Sequence, residues 1–132
     1  MKQVFATREG CLGQKTASGY IIEENMPFVA LPARRALHKW VLLHNPQNEK
    51  WCCAQCLDVG PWNEHDDEYV FGNTRPLAEQ GISISQKGTN SAGIDLSEKV
   101  WKLLGMKDNG LINWRFLEAS DLWTGDTVEH KT

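Results

Sequence analysis

The sequence predicts a mainly-β domain closed as a barrel, on three observations: a hairpin-like pair of apolar stretches, an alternating stretch near the end, and a single segment of helical periodicity. Leu37 to Leu43 and Lys50 to Leu57 are rich in β-branched, aromatic and other apolar residues. They are separated by Asn45-Pro46-Gln47-Asn48, with proline in the second turn position, and together predict a β-hairpin. Strict alternation along the second arm puts Trp51, Cys53, Gln55 and Leu57 on one face and Cys52, Ala54, Cys56 and Asp58 on the other. Leu111-Ile112-Asn113-Trp114-Arg115-Phe116 alternates again and predicts a closing strand. Short strands joined by close turns favour a barrel, because closure leaves no exposed edge.

One short helix is expected over about 95–104. Asp95-Leu96-Ser97-Glu98 has the form of a capping box, with Asp95 as the cap. Leu96, Val100, Leu103 and Leu104 give the segment an apolar face, and Gly105 is placed to end it. Residues 63–92 are polar, rich in glycine and without sustained periodicity, which predicts a long loop, functional or disordered. The tail beyond Glu118 is polar apart from Leu122 and Trp123, and its end is expected to fray. With 132 residues and 41% hydrophobic content, residues 1–132 are expected to form one domain around one core.

Composition narrows the partners. A net charge of −3, from 14 basic and 17 acidic residues, offers no basic stripe for a phosphate backbone, so nucleic acid is not expected as a partner. No run of about 18 apolar residues occurs, which predicts no membrane-spanning helix. Met1 to Arg8 lacks the apolar core of a conventional signal peptide, so the expected location is the cytoplasm or a compartment reached by a non-conventional route. A monomer is expected. Six tryptophans suit either core packing or stacking against sugar rings. Of these, Trp62 beside Gly60-Pro61 is the stacking candidate, while Trp101 and Trp114 are expected in the core.

Cleavage of a glycosidic bond needs a carboxyl group that can pass a proton to the bridging oxygen, and two are common. Asp58, at a strand end, suits that task, and equally suits capping the Gly60-Pro61 turn. Asp95 followed by Glu98 three residues on is read as a helix cap. His65, Asp66 and Asp67 form either a solvated cluster or part of a ligand site. The four cysteines, Cys11, Cys52, Cys53 and Cys56, are expected as buried thiols or with one disulfide from Cys11. Alternation turns Cys53 away from Cys52 and Cys56, so no metal site is predicted, and no cofactor is implied.

Taken in order, Thr16-Ala17-Ser18-Gly19, Val29-Ala30-Leu31-Pro32, the hairpin, Asp58-Val59-Gly60-Pro61-Trp62, Gly93-Ile94-Asp95-Leu96-Ser97 and Leu104-Gly105 resemble the landmarks of the rare lipoprotein A barrel over most of the chain. The resemblance implies a six-stranded double-psi β-barrel, shared with expansins, barwin and certain endoglucanases. It also implies business with a polysaccharide, peptidoglycan glycan strands first, and lytic transglycosylase chemistry if the protein is an enzyme. Within that family the catalytic set carries over to Asp58, expected as the acid/base, and the aspartate that expansins use in the later motif carries over to Asp95, expected as a second catalytic acid. Trp62, Tyr20, His65 and Asp67 are the expected substrate-binding residues. Two positions depart from the pattern: Tyr20 stands where the family has a glutamate, and Leu31 where it has a histidine. The insertion between Trp62 and Gly93 is a further departure. A non-catalytic glycan-binding or structural barrel is therefore the alternative, and a prophage-type variant would suit a wall-directed barrel with no recognised leader.

Overall fold

The computed structural model describes residues 1–121. Six strands, β1 (Lys2–Glu9), β2 (Phe28–Leu31), β3 (Trp40–Asn45), β4 (Lys50–Val59), β5 (Ile94–Ser97) and β6 (Gly110–Phe116), close in the order β1-β5-β2-β4-β3-β6. The pairs β1/β5 and β2/β4 are parallel and the other four are antiparallel, with β6 against β1 completing the ring. This is the mainly-β double-psi barrel that the sequence predicts. Alternation fills the interior: Val4 and Ala6, Val29 and Leu31, Val41 and Leu43, Ala54 and Cys56, Ile94 and Leu96, and Ile112 and Trp114 are all fully buried in one cluster.

Three features differ from expectation. First, Asp95 lies within β5, and the helix α2 covers only Glu98–Leu103. Its cap is Ser97, whose Oγ accepts from the Val100 amide at 3.3 Å and from the Phe28 amide at 3.0 Å. Pairing of Asp95 with Ala30 on one side and Thr7 on the other keeps the chain extended, so the helix cap falls two residues later than expected.

Second, β4 does not alternate strictly. Cys56 pairs with Val29 but Asp58 pairs with Ala30, so Leu57 is an extra residue, a β-bulge. The bulge turns Asp58 from the core face of Cys56 to the outer face of Ala30.

Third, 63–92 is not an unstructured loop. It contains α1 (Asp67–Val70) and a 3₁₀ turn at Leu77–Gln80. Tyr69 and Val70 of α1 join the core, where the Tyr69 hydroxyl donates to the Gly93 carbonyl and accepts from Trp114 Nε1, both at 2.9 Å. Gly93 permits the approach: a Cβ there would lie 2.9 Å from the Tyr69 hydroxyl and 3.0 Å from Val4 Cβ. The expected fraying of Leu122 and Trp123 falls outside the described residues.

Candidate functional site

The outer face of β1, β5, β2 and β4 carries the polar chemistry. In β1, Val4 and Ala6 face inward, so Thr7 and Glu9 share the opposite face. In β5, Ile94 and Leu96 face inward, and Asp95 and Ser97 outward. The register sets Thr7 beside Asp95 and Glu9 beside Ser97. Ala30 pairs with Asp95 on one flank and with Asp58 on the other. The two aspartates thus stand two strand spacings apart, roughly 10 Å between Cα atoms, over a side chain too small to separate them.

Each carboxyl has a defined setting. Asp58 Oδ1 accepts from the backbone amides of Ala17 at 2.8 Å and Val59 at 2.9 Å. The Thr16–Gly19 motif supplies the first of these amides, through a turn closed by Gly19 N donating to Thr16 O and anchored by Ser18 Oγ donating to Leu57 O. Asp95 Oδ1 accepts from Thr7 Oγ1 at 2.5 Å, and Oδ2 lies 4.0 Å from where a Cβ on Gly60 would be. Gly60 has φ +140° and forms a cis bond to Pro61, a backbone path open to glycine. Desolvation raises the Asp95 carboxyl to about 6, the Thr7 hydrogen bond opposing and the Asp58 charge adding to the rise.

Glu9, which no motif singles out, lies on the same face of β1 as Thr7. Its backbone stands beside Ser97, on the face that carries Thr7 and Asp95, and its carboxyl feels the charges of Asp58 and Asp95. Desolvation above all, then the neighbouring Asp58 and Asp95 carboxyls, push it up to about 9. Its signal in the sequence is faint: a β-type run, Val4-Phe5-Ala6-Thr7, that ends at Glu9-Gly10. Cys11, exposed in the following turn, is also shifted upward, by desolvation and then by Glu9, Asp58 and Asp95.

A groove of about 370 Å³ lies beside the segment that follows Asp58, lined by Ala17, Val59, Gly60, Trp62 and Ile84 among others, with none of Glu9, Asp58 and Asp95 in its lining. Trp62 is half-buried at its wall, its Nε1 donating to Asn90 Oδ1 at 2.8 Å. Tyr20 is 50% exposed on the turn that delivers Ala17 to Asp58. The structure therefore brings Asp58, Asp95, Trp62 and Tyr20 to one region. It places His65 and Asp67 elsewhere: His65 is exposed and bridges to Ala33, and Asp67 pairs with Arg35 at 2.8 Å. A larger apolar groove of about 940 Å³, at Trp40, Phe71 and Phe116, includes none of the carboxyl cluster.

Other candidates resolve simply. Leu31 is fully buried in the core, so no side chain from that position reaches the groove. All four cysteines are free, and burial pushes Cys52 and Cys56 up to about 12, as inert thiols. Among the described residues no group of three His, Cys, Asp or Glu side chains is arranged to hold a metal ion, and no helix is long and apolar enough to cross a membrane.

Comparison with solved structures finds similarity to an aspartate-to-asparagine mutant of the Clavibacter michiganensis expansin in complex with cellohexaose. The likeness has a TM-score of 0.50 at 13% identity, covers 89% of this chain and shows the shared fold. This chain spans about half of that one, 51% of its length. No curated protein matches the sequence. The family model described as "Domain of unknown function (DUF8814)" matches residues 1–81, more than half of the 132, and the protein belongs to that family.

Proposed function

We propose that the protein acts on a polysaccharide lying along the outer face of the barrel, peptidoglycan glycan strands being the first candidate. The observation that carries this reading is the placing of Asp58 and Asp95 on either side of Ala30, with Val59 and Gly60, which follow Asp58 in the chain, lining the Trp62 groove. Two carboxyls facing each other across a small residue beside an aromatic wall are what acid-assisted cleavage of a glycosidic bond requires. The expansin neighbour, solved with cellohexaose, supports a sugar chain as the ligand class for this barrel.

The roles divide by environment. Asp95, raised to about 6, changes protonation near neutrality and suits the group that passes a proton to the glycosidic oxygen. Asp58, gripped by two backbone amides, suits the fixed carboxylate that stabilises developing positive charge. This moves the proton-handling role from Asp58, where the sequence suggested it, to Asp95. Trp62 offers a ring to stack a sugar and Tyr20 an exposed edge.

The test is incubation with intact and peptide-stripped peptidoglycan and with cello-oligosaccharides, followed by mass spectrometry for anhydro or reducing-end products, beside D58N and D95N. Products from the wild type that vanish in both variants, with folding intact, establish a glycan-cleaving enzyme. Retained glycan affinity without products favours the binding barrel to which Tyr20 and Leu31 point. Neither products nor affinity rejects the glycan reading.

A further inference from the structure

Trp62 is the aromatic wall of the groove, and its backbone conformation is unusual for so large a residue. Its φ is +70°, in the left-handed region that is costly for a side chain of this size. Such a conformation persists only where neighbouring contacts hold it. The Ile84 amide donates to the Trp62 carbonyl at 3.1 Å, and the Asn63 amide closes a tight turn onto the Pro61 carbonyl at 2.7 Å. At the far end of the side chain, Trp62 Nε1 donates to Asn90 Oδ1 at 2.8 Å. Trp62 is therefore held at both ends by residues of the insertion.

Asn90 is itself fixed. The same Oδ1 accepts from the Ala92 amide at 3.0 Å, across Ser91 at φ +70°. The preceding Thr89 hydroxyl donates to the Ala78 carbonyl and accepts from the Ser91 amide. Ala92 is buried, and the Gly93 amide after it donates to the Phe5 carbonyl of β1 at 2.9 Å. One amide oxygen thus ties the Trp62 indole to the run-in of the strand that carries Asp95. Asn90 stands outside the groove lining, which includes Trp62, Ile84 and Ser85, so it reaches a ligand there only through Trp62.

An indole has a single hydrogen-bonding group, its N–H donor. Asn90 takes up that donor, which leaves the ring carbons as the surface that Trp62 offers to the groove. A sugar at this wall is read by its C–H face, with no hydroxyl paired to the indole nitrogen.

We propose that Asn90 is a positioning residue for glycan binding: it fixes the plane of the Trp62 ring and occupies its only donor, so that Trp62 selects sugar rings by stacking alone. The ligand in this proposal rests on the glycan reading above; the fixed ring does not. The Ala92 hydrogen bond supplies the competing account, in which Asn90 only shapes the loop. Three substitutions separate the two. Aspartate keeps an acceptor for both donors, alanine removes it for both, and W62F removes the indole donor while leaving the Ala92 bond.

The experiment compares indole N–H NMR spectra of wild type, N90A, N90D, W62F and the W62F/N90A double variant, with calorimetric titration of cellohexaose and of peptide-stripped peptidoglycan oligosaccharides into each. W62F assigns the Trp62 indole resonance by its loss. In N90A that indole proton should exchange with solvent at least about tenfold faster than in wild type, and in N90D it should stay protected. Affinity for the oligosaccharide that the wild type binds should fall about tenfold in N90A, the scale of one lost hydrogen bond, and stay within about threefold in N90D. W62F should lose about as much as N90A. Adding N90A to W62F should then cost less than about twofold more, since a residue that acts through the indole has nothing left to act on. On a glycan that is cleaved, N90A should raise KM and leave kcat within about threefold.

An indole proton equally protected in wild type and N90A overturns the proposal, whatever the glycan result. So does an N90A loss of affinity that is as large in the W62F background, which assigns Asn90 to the Ala92 turn. A wild type that binds neither oligosaccharide, but whose Trp62 indole is protected by Asn90, rejects the glycan reading and supports the fixed ring.

Discussion

At the residue scale, Asp95 can be asked whether it is there for the fold. It caps no helix, since Ser97 does that, and its one side-chain hydrogen bond comes from Thr7. Burial raises it to about 6, so its contribution to stability is full below the ordinary carboxylate range and is lost as pH climbs towards 6. An asparagine accepts the Thr7 hydrogen bond equally well and never ionises. D95N should therefore unfold at a higher urea concentration than wild type at pH 7, by on the order of 1–3 kcal/mol, with the gap closing at pH 4. The same variant should release no product from glycan. A rate for the wild type that declines above pH about 6 would mark Asp95 as the acid; a D95N protein less stable than wild type would make it structural. Asp58 and Asp95 were both legible in the sequence, because Asp-Val-Gly-Pro and Ile-Asp-Leu-Ser are compact motifs. Glu9 was not, because what makes it chemical is a parallel pairing between β1 and β5, almost ninety residues apart, and a bulge on a third strand.

At the element scale, the hairpin and the closing strand were legible because alternation and turn chemistry are local. The helix start was misread for a physical reason. Asp95 and Ser97 are both cap-type residues, and Glu98 follows either closely enough to suggest a helix N-terminus. What decides between them is pairing on both sides of β5, which extends the strand to Ser97. Ser97 then ends the strand and starts the helix. Its hydroxyl oxygen serves the Val100 amide and, across the sheet, the Phe28 amide. S97A would remove the helix cap and leave the buried Phe28 amide without its acceptor. The expected loss is ~1–3 kcal/mol in urea unfolding, larger than the ~1 kcal/mol usual for a cap alone. A loss under about 0.5 kcal/mol would mean that the Phe28 amide finds another partner.

At the scale of the whole molecule, the long insertion decides whether this is a barrel with an ornament or a barrel built around one. Polar, glycine-rich sequence hides the answer, because only a few residues of 63–92 carry the packing. Tyr69 is the central one: 1% exposed, in edge contact with the Trp114 ring at 6.1 Å between centroids, and bridging Trp114 Nε1 to the Gly93 carbonyl just before β5. One hydroxyl thus ties the insertion to β6 and to the strand that carries Asp95. The insertion also supplies the Trp62 wall, through Asn90 on the Trp62 indole and Ile84 N on the Trp62 carbonyl. Y69F keeps the ring and deletes the bridge, leaving a buried indole N–H and a buried carbonyl unsatisfied. If the insertion is part of the fold, Y69F should cost ~2–4 kcal/mol and lower the unfolding midpoint in one cooperative transition. Hydrogen exchange should then show α1 and β5 losing protection together. Were the insertion an independent flap, exchange would accelerate in 63–92 alone, with the global midpoint unchanged. The bridge joins core to core through a buried residue, so the cooperative outcome is the one expected, and with it a groove wall as rigid as the barrel that bears the carboxyls.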